Sequence, residues 1–303
     1  MKKIGFILVI SAGLLWGSSC LFIHYLSGFG FTPAQMTAAR GLVAFLAVAG
    51  LTLIRDRSAM KVTKKEFFLF LAGGFCMFAT AYTYYAAVTM TSPSTAAVLM
   101  YMEPIYVAIF SGFFFKESFT PLKILSSATV LVGCCLVSGM VGGLRFEPLG
   151  VILAILSGVF YAVYSILMKF AMRKNAKPLS AAFYCDLFMA LFALIPAKIH
   201  LMPALIAADP VKTLPALAGL GLVTFFVPYY LYTLSLRYIP AGTASALAVI
   251  EPLAATIYSI LFLKEKLTLL AGVGIVLILG ASILLCSLKE KQKVSDDGKR
   301  TQT

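Results

Sequence analysis

Residues 93–122 read PSTAAVLMYMEPIYVAIFSGFFFKESFTPL, and residues 241–270 read AGTASALAVIEPLAATIYSILFLKEKLTLL. Set against each other without gaps, at an offset of 148, twelve of the 30 positions are identical, among them Glu103/Glu251, Pro104/Pro252, Lys116/Lys264 and Glu117/Glu265. Apolar composition raises chance identity, but it does not produce matched Glu-Pro and Lys-Glu pairs. The likeness continues upstream. Tyr82 and Tyr84 fall on Tyr230 and Tyr232 at the same offset, and Ile7, Leu8, Ile10 and Gly13 fall on Ile152, Leu153, Ile155 and Gly158 at an offset of 145. The second half of the chain repeats the first.

The surrounding composition says what is repeated. The 303 residues are 61% hydrophobic and 12% charged, with a mean hydropathy of +0.96, whereas a soluble domain carries about a quarter charged residues. About 20 apolar residues cross a bilayer. Breaking the chain at charge and turn clusters gives ten spans, at 4–27, 33–54, 67–89, 93–115, 121–139, 149–171, 179–200, 213–236, 241–263 and 267–288. Pro33, Pro93, Pro121, Pro148, Pro178 and Pro215 fall at or near span starts, where the missing N–H costs nothing. The expected organisation is a first five-helix repeat over 1–139, an external connection over 140–148, a second repeat over 149–288 and a polar tail over 289–303. No separate catalytic domain fits. Lys2 and Lys3 before an apolar run resemble a signal peptide, but Ile4 to Leu26 exceeds the usual apolar core of one, so it reads as the first retained span.

The net charge of +13 raises nucleic acid as a partner, but the basic residues sit in loops and the aromatic clusters sit in apolar runs, so none is expected. With the N-terminus inside, the cytoplasmic loops and ends carry 19 Lys and Arg, the external loops carry 5, and Arg40 alone lies within a span. The positive-inside rule therefore puts both termini in the cytoplasm. Each half holds an odd number of spans, so the two copies enter the bilayer from opposite sides. Inverted repeats of this kind build carriers whose central site faces the two sides in turn.

Two five-span halves, Trp16-Gly17-Ser18 in the first span, Arg40 in the second and the repeated Thr-Ala, Glu-Pro and Lys-Glu elements at 95–117 and 243–265 resemble the EamA family of the drug/metabolite transporter superfamily. That resemblance implies an all-α integral membrane protein, a ten-helix bundle around a central cavity, in a plasma membrane. It implies export of amino acids or small metabolites, with the substrate left open.

Polar groups inside the spans are the candidate site. Glu103 and Glu251 lie about eleven residues into their spans, roughly 15 Å deep, where a charge usually faces a cavity or a partner. Pro104 and Pro252 remove helical bonds to the carbonyls of Met100 and Ala248 and mark helix breaks or hinges. Either the glutamates bind a substrate ammonium or exchange protons, or they are hydrogen-bonded and stabilise kinked helices. Arg40, roughly 10 Å below the external end of its span, either receives a substrate carboxylate or pairs with a glutamate. Asp186 takes the matching place in the second half, at an offset of 146, and a water-facing role is the plainer reading. His24, near the external end of the first span, titrates in the physiological range or is merely solvated. Trp16, Tyr82, Tyr84, Tyr101 and Tyr230, together with Tyr85, Tyr161, Tyr164, Tyr229 and Tyr232, line an aromatic cavity or pack. Gly13 and Gly17 have a spacing that permits close helix contact.

No GxxxxGK[ST], HExxH or CxxC occurs, so no nucleotide motor, cofactor, metal site or catalytic residue is expected. The sequence reads as a secondary transporter of a small polar or amphipathic metabolite. A channel or lipid scramblase is the alternative, ahead of an intramembrane enzyme. The expected partners are the substrate and the lipid bilayer, for a monomer or a homodimer.

Overall fold

A computed structural model gives the fold and describes residues 2–90, 96, 99–115, 121–137, 147–248, 250–264, 269–270, 272–277 and 280–281. The Lys116-Glu117 turn, Glu265 of its counterpart, the stretch 138–146 and the tail 289–303 lie outside the described residues, as do most of the expected tenth span and the start of the fourth.

Among the described residues the elements are helical. They are α1 (Lys2–Gly17), α2 (Ser19–Ser27), α3 (Pro33–Arg55), α4 (Lys64–Met90), α5 (Glu103–Phe115), α6 (Pro121–Val137), α7 (Pro148–Arg173), α8 (Pro178–Leu194), α9 (Met202–Ala208), α10 (Pro210–Gly221), α11 (Val227–Ser235), α12 (Ala241–Ala248) and α13 (Ile250–Leu263). Six helical stretches are long and apolar enough to cross a bilayer: Lys3–Ser27, Pro33–Arg55, Lys64–Ala87, Pro148–Arg173, Pro210–Ser235 and Ala241–Leu263. A bent pair, Pro178–Leu194 with Ile199–Ala208, makes a seventh if counted as one span.

Local chemistry sets most of these ends. Pro33, Pro121, Pro148, Pro178 and Pro210 each open a helix, and the Thr32 hydroxyl accepts from Gln35 N while Gln35 Oε1 accepts from Thr32 N, a reciprocal cap on α3. Two expectations need correction. The seventh span does not run to residue 200: α8 stops at Leu194 ahead of Pro196, Lys198 turns left-handed at φ +46°, and the chain bends by 83° into Ile199–Ala208. Pro215 does not open the eighth span. It lies inside α10, which starts at Pro210 with Asp209 as its cap. Downstream, the helix widens into a π-turn over Leu222–Phe226, a local irregularity common at functional sites.

Helices of one half pack mainly on helices of the other. α4 lies along α7 and α8, α3 along α8 and α10, α1 along α11, α12 and α13, and α5 along α7 and α12. The buried core runs through this seam, from Val9, Ala12 and Trp16 of α1 to Phe70 and Met77 of α4, Tyr164 and Met168 of α7, and Phe225 and Tyr232. Polar bonds tie α7 to α11 within it. The Tyr164 and Thr233 hydroxyls meet at 3.0 Å, and those of Ser165 and Tyr232 at 2.9 Å.

At one end of the bundle the loops are joined by polar contacts. Lys177 pairs with Asp56 at 2.6 Å, and the Tyr184 hydroxyl donates to Met60 O at 2.7 Å. Arg237 donates to Ala176 O at 2.5 Å. Lys169 is only 7% exposed and donates to Leu236 O and Ile239 O, both at 2.7 Å, so it caps the end of α11 instead of reaching into solvent. At the other end an apolar cluster of Leu26, Phe31, Met36, Met202, Leu217 and Leu220 does the joining.

Candidate functional site

Where the seam crosses the middle of the bundle, rings from three elements converge on Trp16. Its ring centre lies 5.1 Å from that of Tyr229, 5.6 Å from Tyr232 and 6.2 Å from Tyr161. Phe225 extends the group, 4.7 Å from Tyr229. Phe225, Tyr229 and Tyr232 are spaced by four and three residues, so one stripe of the segment from the π-turn into α11 faces this cluster. Tyr161 and Tyr164 do the same from α7.

Four ionisable residues lie near the rings. Glu103, Glu251, Arg40 and Asp186 all lie within Coulombic reach of the Tyr229 hydroxyl. Glu103 is 6% exposed and accepts a 2.7 Å hydrogen bond from Ser245 Oγ of α12. Glu251 is half-buried, within electrostatic reach of Arg40, and has no hydrogen bond or ion pair among the described residues. Arg40 is not paired with either glutamate. Its guanidinium lies over the Phe225 ring, 4.9 Å from the centre, and its buried Nε has no partner. Asp186 corrects the water-facing expectation: it is 2% exposed, on the inner side of α8, and its Oδ2 has no partner.

The two Glu-Pro pairs differ in their helical setting. Tyr101 and Met102 form a turn, and α5 begins at Glu103. Pro104 is thus in a first turn, where no N–H is needed, and the span is broken there rather than kinked. Glu251 and Pro252, by contrast, lie within the helical stretch Ala241–Leu263, which reads as one span. In each case the carbonyl deprived of its helical donor abuts a glycine of the opposite half. A Cβ on Gly158 of α7 would come within 2.9 Å of Met100 O, and one on Gly13 of α1 within 3.3 Å of Ala248 O. Gly17 is tighter still: its Cβ would lie 2.8 Å from Glu251 O. Only glycine lets these helices approach the carbonyls so closely.

The expected site residues do not all converge. Trp16, Glu103, Glu251 and Arg40 do. Tyr84 packs beside Ala87, Ala96 and Ala154 yet stays within electrostatic reach of Glu251. Tyr101 packs on Leu253 and Ile250, next to the start of α13. Tyr230 turns to Phe226, 6.2 Å away, since one residue from Tyr229 is about 100° around a helix. Tyr82 is 49% exposed and lines a separate cleft of about 270 Å³ with Thr32, Thr37, Phe78, Tyr85 and Pro196. His24 is exposed. Ser245 and Phe225 were not singled out from sequence. A helical-stripe test on residues 225–232 selects Phe225, Tyr229 and Tyr232.

A model of the EamA-like transporter family matches residues 3–139 and again 148–287. An uncharacterized transporter of Archaeoglobus fulgidus is 29% identical over 276 residues, 91% of this chain and 94% of that one. An uncharacterized transporter of Clostridium kluyveri is 26% identical over 212 residues, 68% of this chain and 67% of the other. A protein of known crystal structure superposes with a TM-score of 0.82 over 96% of this chain and 99% of its own, at 18% identity. That last likeness is one of fold.

Proposed function

Because the chain belongs to the EamA-like transporter family, we propose that it is a secondary carrier. It exports a small polar or amphipathic metabolite, an amino acid or a relative, by rocking two inverted five-helix halves about the central site. The observation that carries this reading is the reciprocal packing of the halves. α1 lies on α11 and α13 as α7 lies on α4 and α5, and the glycine contacts at the two Glu-Pro runs are exchanged in the same sense. Such an exchange is what an inverted repeat demands, and a site on that seam is open to whichever side the halves part.

The orientation has its own support. The loops holding Asp56, Lys177 and Arg237, which the basic-residue count assigns to the cytoplasm, meet at one end of the bundle. Both termini then lie in the cytoplasm of a cell bounded by this plasma membrane. Glu251, half-buried and unbonded, is the carboxylate assigned to proton coupling; Glu103 is held by Ser245.

The test is counterflow in proteoliposomes, with each of the twenty radiolabelled L-α-amino acids outside and the same compound unlabelled inside. Saturable, trans-stimulated exchange of at least one is expected. Solute flux that rises without saturation, or lipid flip without solute exchange, would replace the carrier reading with a channel or a scramblase.

A further inference from the structure

Resting on the carrier reading, we propose that Asp186 receives the ammonium group of a zwitterionic cargo while Arg40 receives its carboxylate, one end being read by each half. The interior has three carboxylates and one guanidinium near Tyr229, and these are not equivalent. Glu103 already accepts from Ser245. Asp186 and Arg40, by contrast, each keep a buried polar atom without a partner, Oδ2 in one and Nε in the other. A buried donor or acceptor left unmade is costly, and one ligand with an ammonium and a carboxylate relieves both at once. The donor types match, since a guanidinium suits a carboxylate and an aspartate accepts from an ammonium.

Their spacing follows from the helices. α3 and α8 run antiparallel: Thr32 and Pro33 at the start of α3 share a cleft with Pro196 beyond the end of α8, and Asp56 after α3 meets Lys177 before α8. Gly41 abuts Ala190, with 3.2 Å between a Cβ built on the first and the Cα of the second. Arg40 is one residue from that crossing in one direction and Asp186 four residues from Ala190 in the other, so their Cα atoms are offset by about 7 Å along the bundle. The direct Arg40–Asp186 pair does not form: neither residue has an ion pair among the described residues. Tyr229 lies within electrostatic reach of both residues.

The experiment takes the amino acid with the fastest counterflow, together with its N-acetyl and carboxamide derivatives. For the native chain both derivatives are expected to compete at about tenfold higher concentration or worse, a measurement that needs no variant. Asp186→Asn should raise KM for the amino acid about tenfold or more with a smaller change in maximal rate, and leave competition by the N-acetyl derivative unaltered, since no ammonium remains to be lost. Arg40→Gln should do the converse with the carboxamide. The charge exchange Arg40→Asp with Asp186→Arg should recover part of the affinity either single change removes. If the native chain exchanges amino acids but ignores N-acetylation, or Asp186→Asn keeps the native KM, this assignment is overturned and the carrier reading stands. If folded native protein exchanges none of the twenty, both fall. Should Asp186→Asn not fold, the native competition series decides alone.

Discussion

Glu103 and Glu251 occupy the same place in the two Glu-Pro runs, yet their surroundings differ. Glu103 is deeply buried and held by Ser245, while Glu251 is half-buried, unbonded and closer in influence to Arg40. The cause is visible in the aligned residues. Ser245 of the second run reaches across to Glu103 of the first, and the residue at the matching place in the first run is Ala97, which carries no hydroxyl. Two aligned Glu-Pro runs therefore present carboxylates with different freedom to act. Symmetry preserves the position of a group, and a single substitution on the facing half decides whether it is structural or available.

The largest expected effect breaks this pair apart. Glu251→Gln should cut proton-driven uptake about a hundredfold, equivalent to about 2.7 kcal/mol, with membrane insertion and gradient-independent counterflow retained. Glu103→Gln keeps an acceptor for Ser245 and should stay within about threefold of native by the same assay. Equal losses in both would show that the two carboxylates work as a unit and that the Ser245 bond does not set them apart.

Next in size is the packing against the second Glu-Pro run. Gly17→Ala forces a Cβ to within 2.8 Å of the backbone at Glu251 and Ala255, and backbone cannot swing aside as a side-chain tip can. A loss of about 1–3 kcal/mol is expected, read as a fall in thermal stability in detergent together with slowed counterflow. Gly50, which has nothing near its missing Cβ, is the control, and Gly50→Ala should be neutral. Smaller again is Ser245→Ala, which takes the one donor from Glu103 and should cost about 1–2 kcal/mol of stability. If Ser245→Ala brings Glu103→Gln to the sensitivity of Glu251→Gln in transport, the serine is what makes the halves unequal.

Much of this arrangement could be read in the sequence, because the signals involved are local or periodic. The Glu-Pro pairs and the glycines at 13 and 158 are tied to a repeat visible by direct comparison of the two halves, Gly17 follows from its four-residue spacing to Gly13, and Arg40 stands out as a charge within an apolar span. What escaped was side-chain facing. Tyr230 is the residue that aligns with Tyr82, whereas Tyr229 carries the ring contact; alignment fixes register, and helical rotation fixes which neighbour points inward. Lys169 and Asp186 near span ends read as solvated charges. Their burial depends on the carbonyls of Leu236 and Ile239 and on the cross-half packing of α8, partners far along the chain. The end of α8 at Leu194 is different in kind: Pro196 was available as a stop, but the apolar run across it masked the break.

The smallest expected effect lies at the end of the bundle that holds Asp56 and Lys177, where the two halves are joined by charge rather than by the buried contacts around the glutamates. Lys177, first, and Ser58 donate to Asp56 and hold its carboxyl below the ordinary value of 3.8. A lowered pKa means that the folded state favours the ionised form. Its stabilisation is therefore complete above the ordinary carboxylate range and is lost as pH falls from there through the lowered value. Both side chains are substantially exposed, 49% for Lys177 and 37% for Asp56, so solvent and salt screen the pair and its contribution is slight. Lys177→Met should lower the melting temperature slightly at pH 7 and low salt. The difference from native should shrink in high salt and vanish in acid below the ordinary value. A difference that persists in acid would mean that Lys177 contributes through its hydrocarbon stem, and that this end too is held by packing.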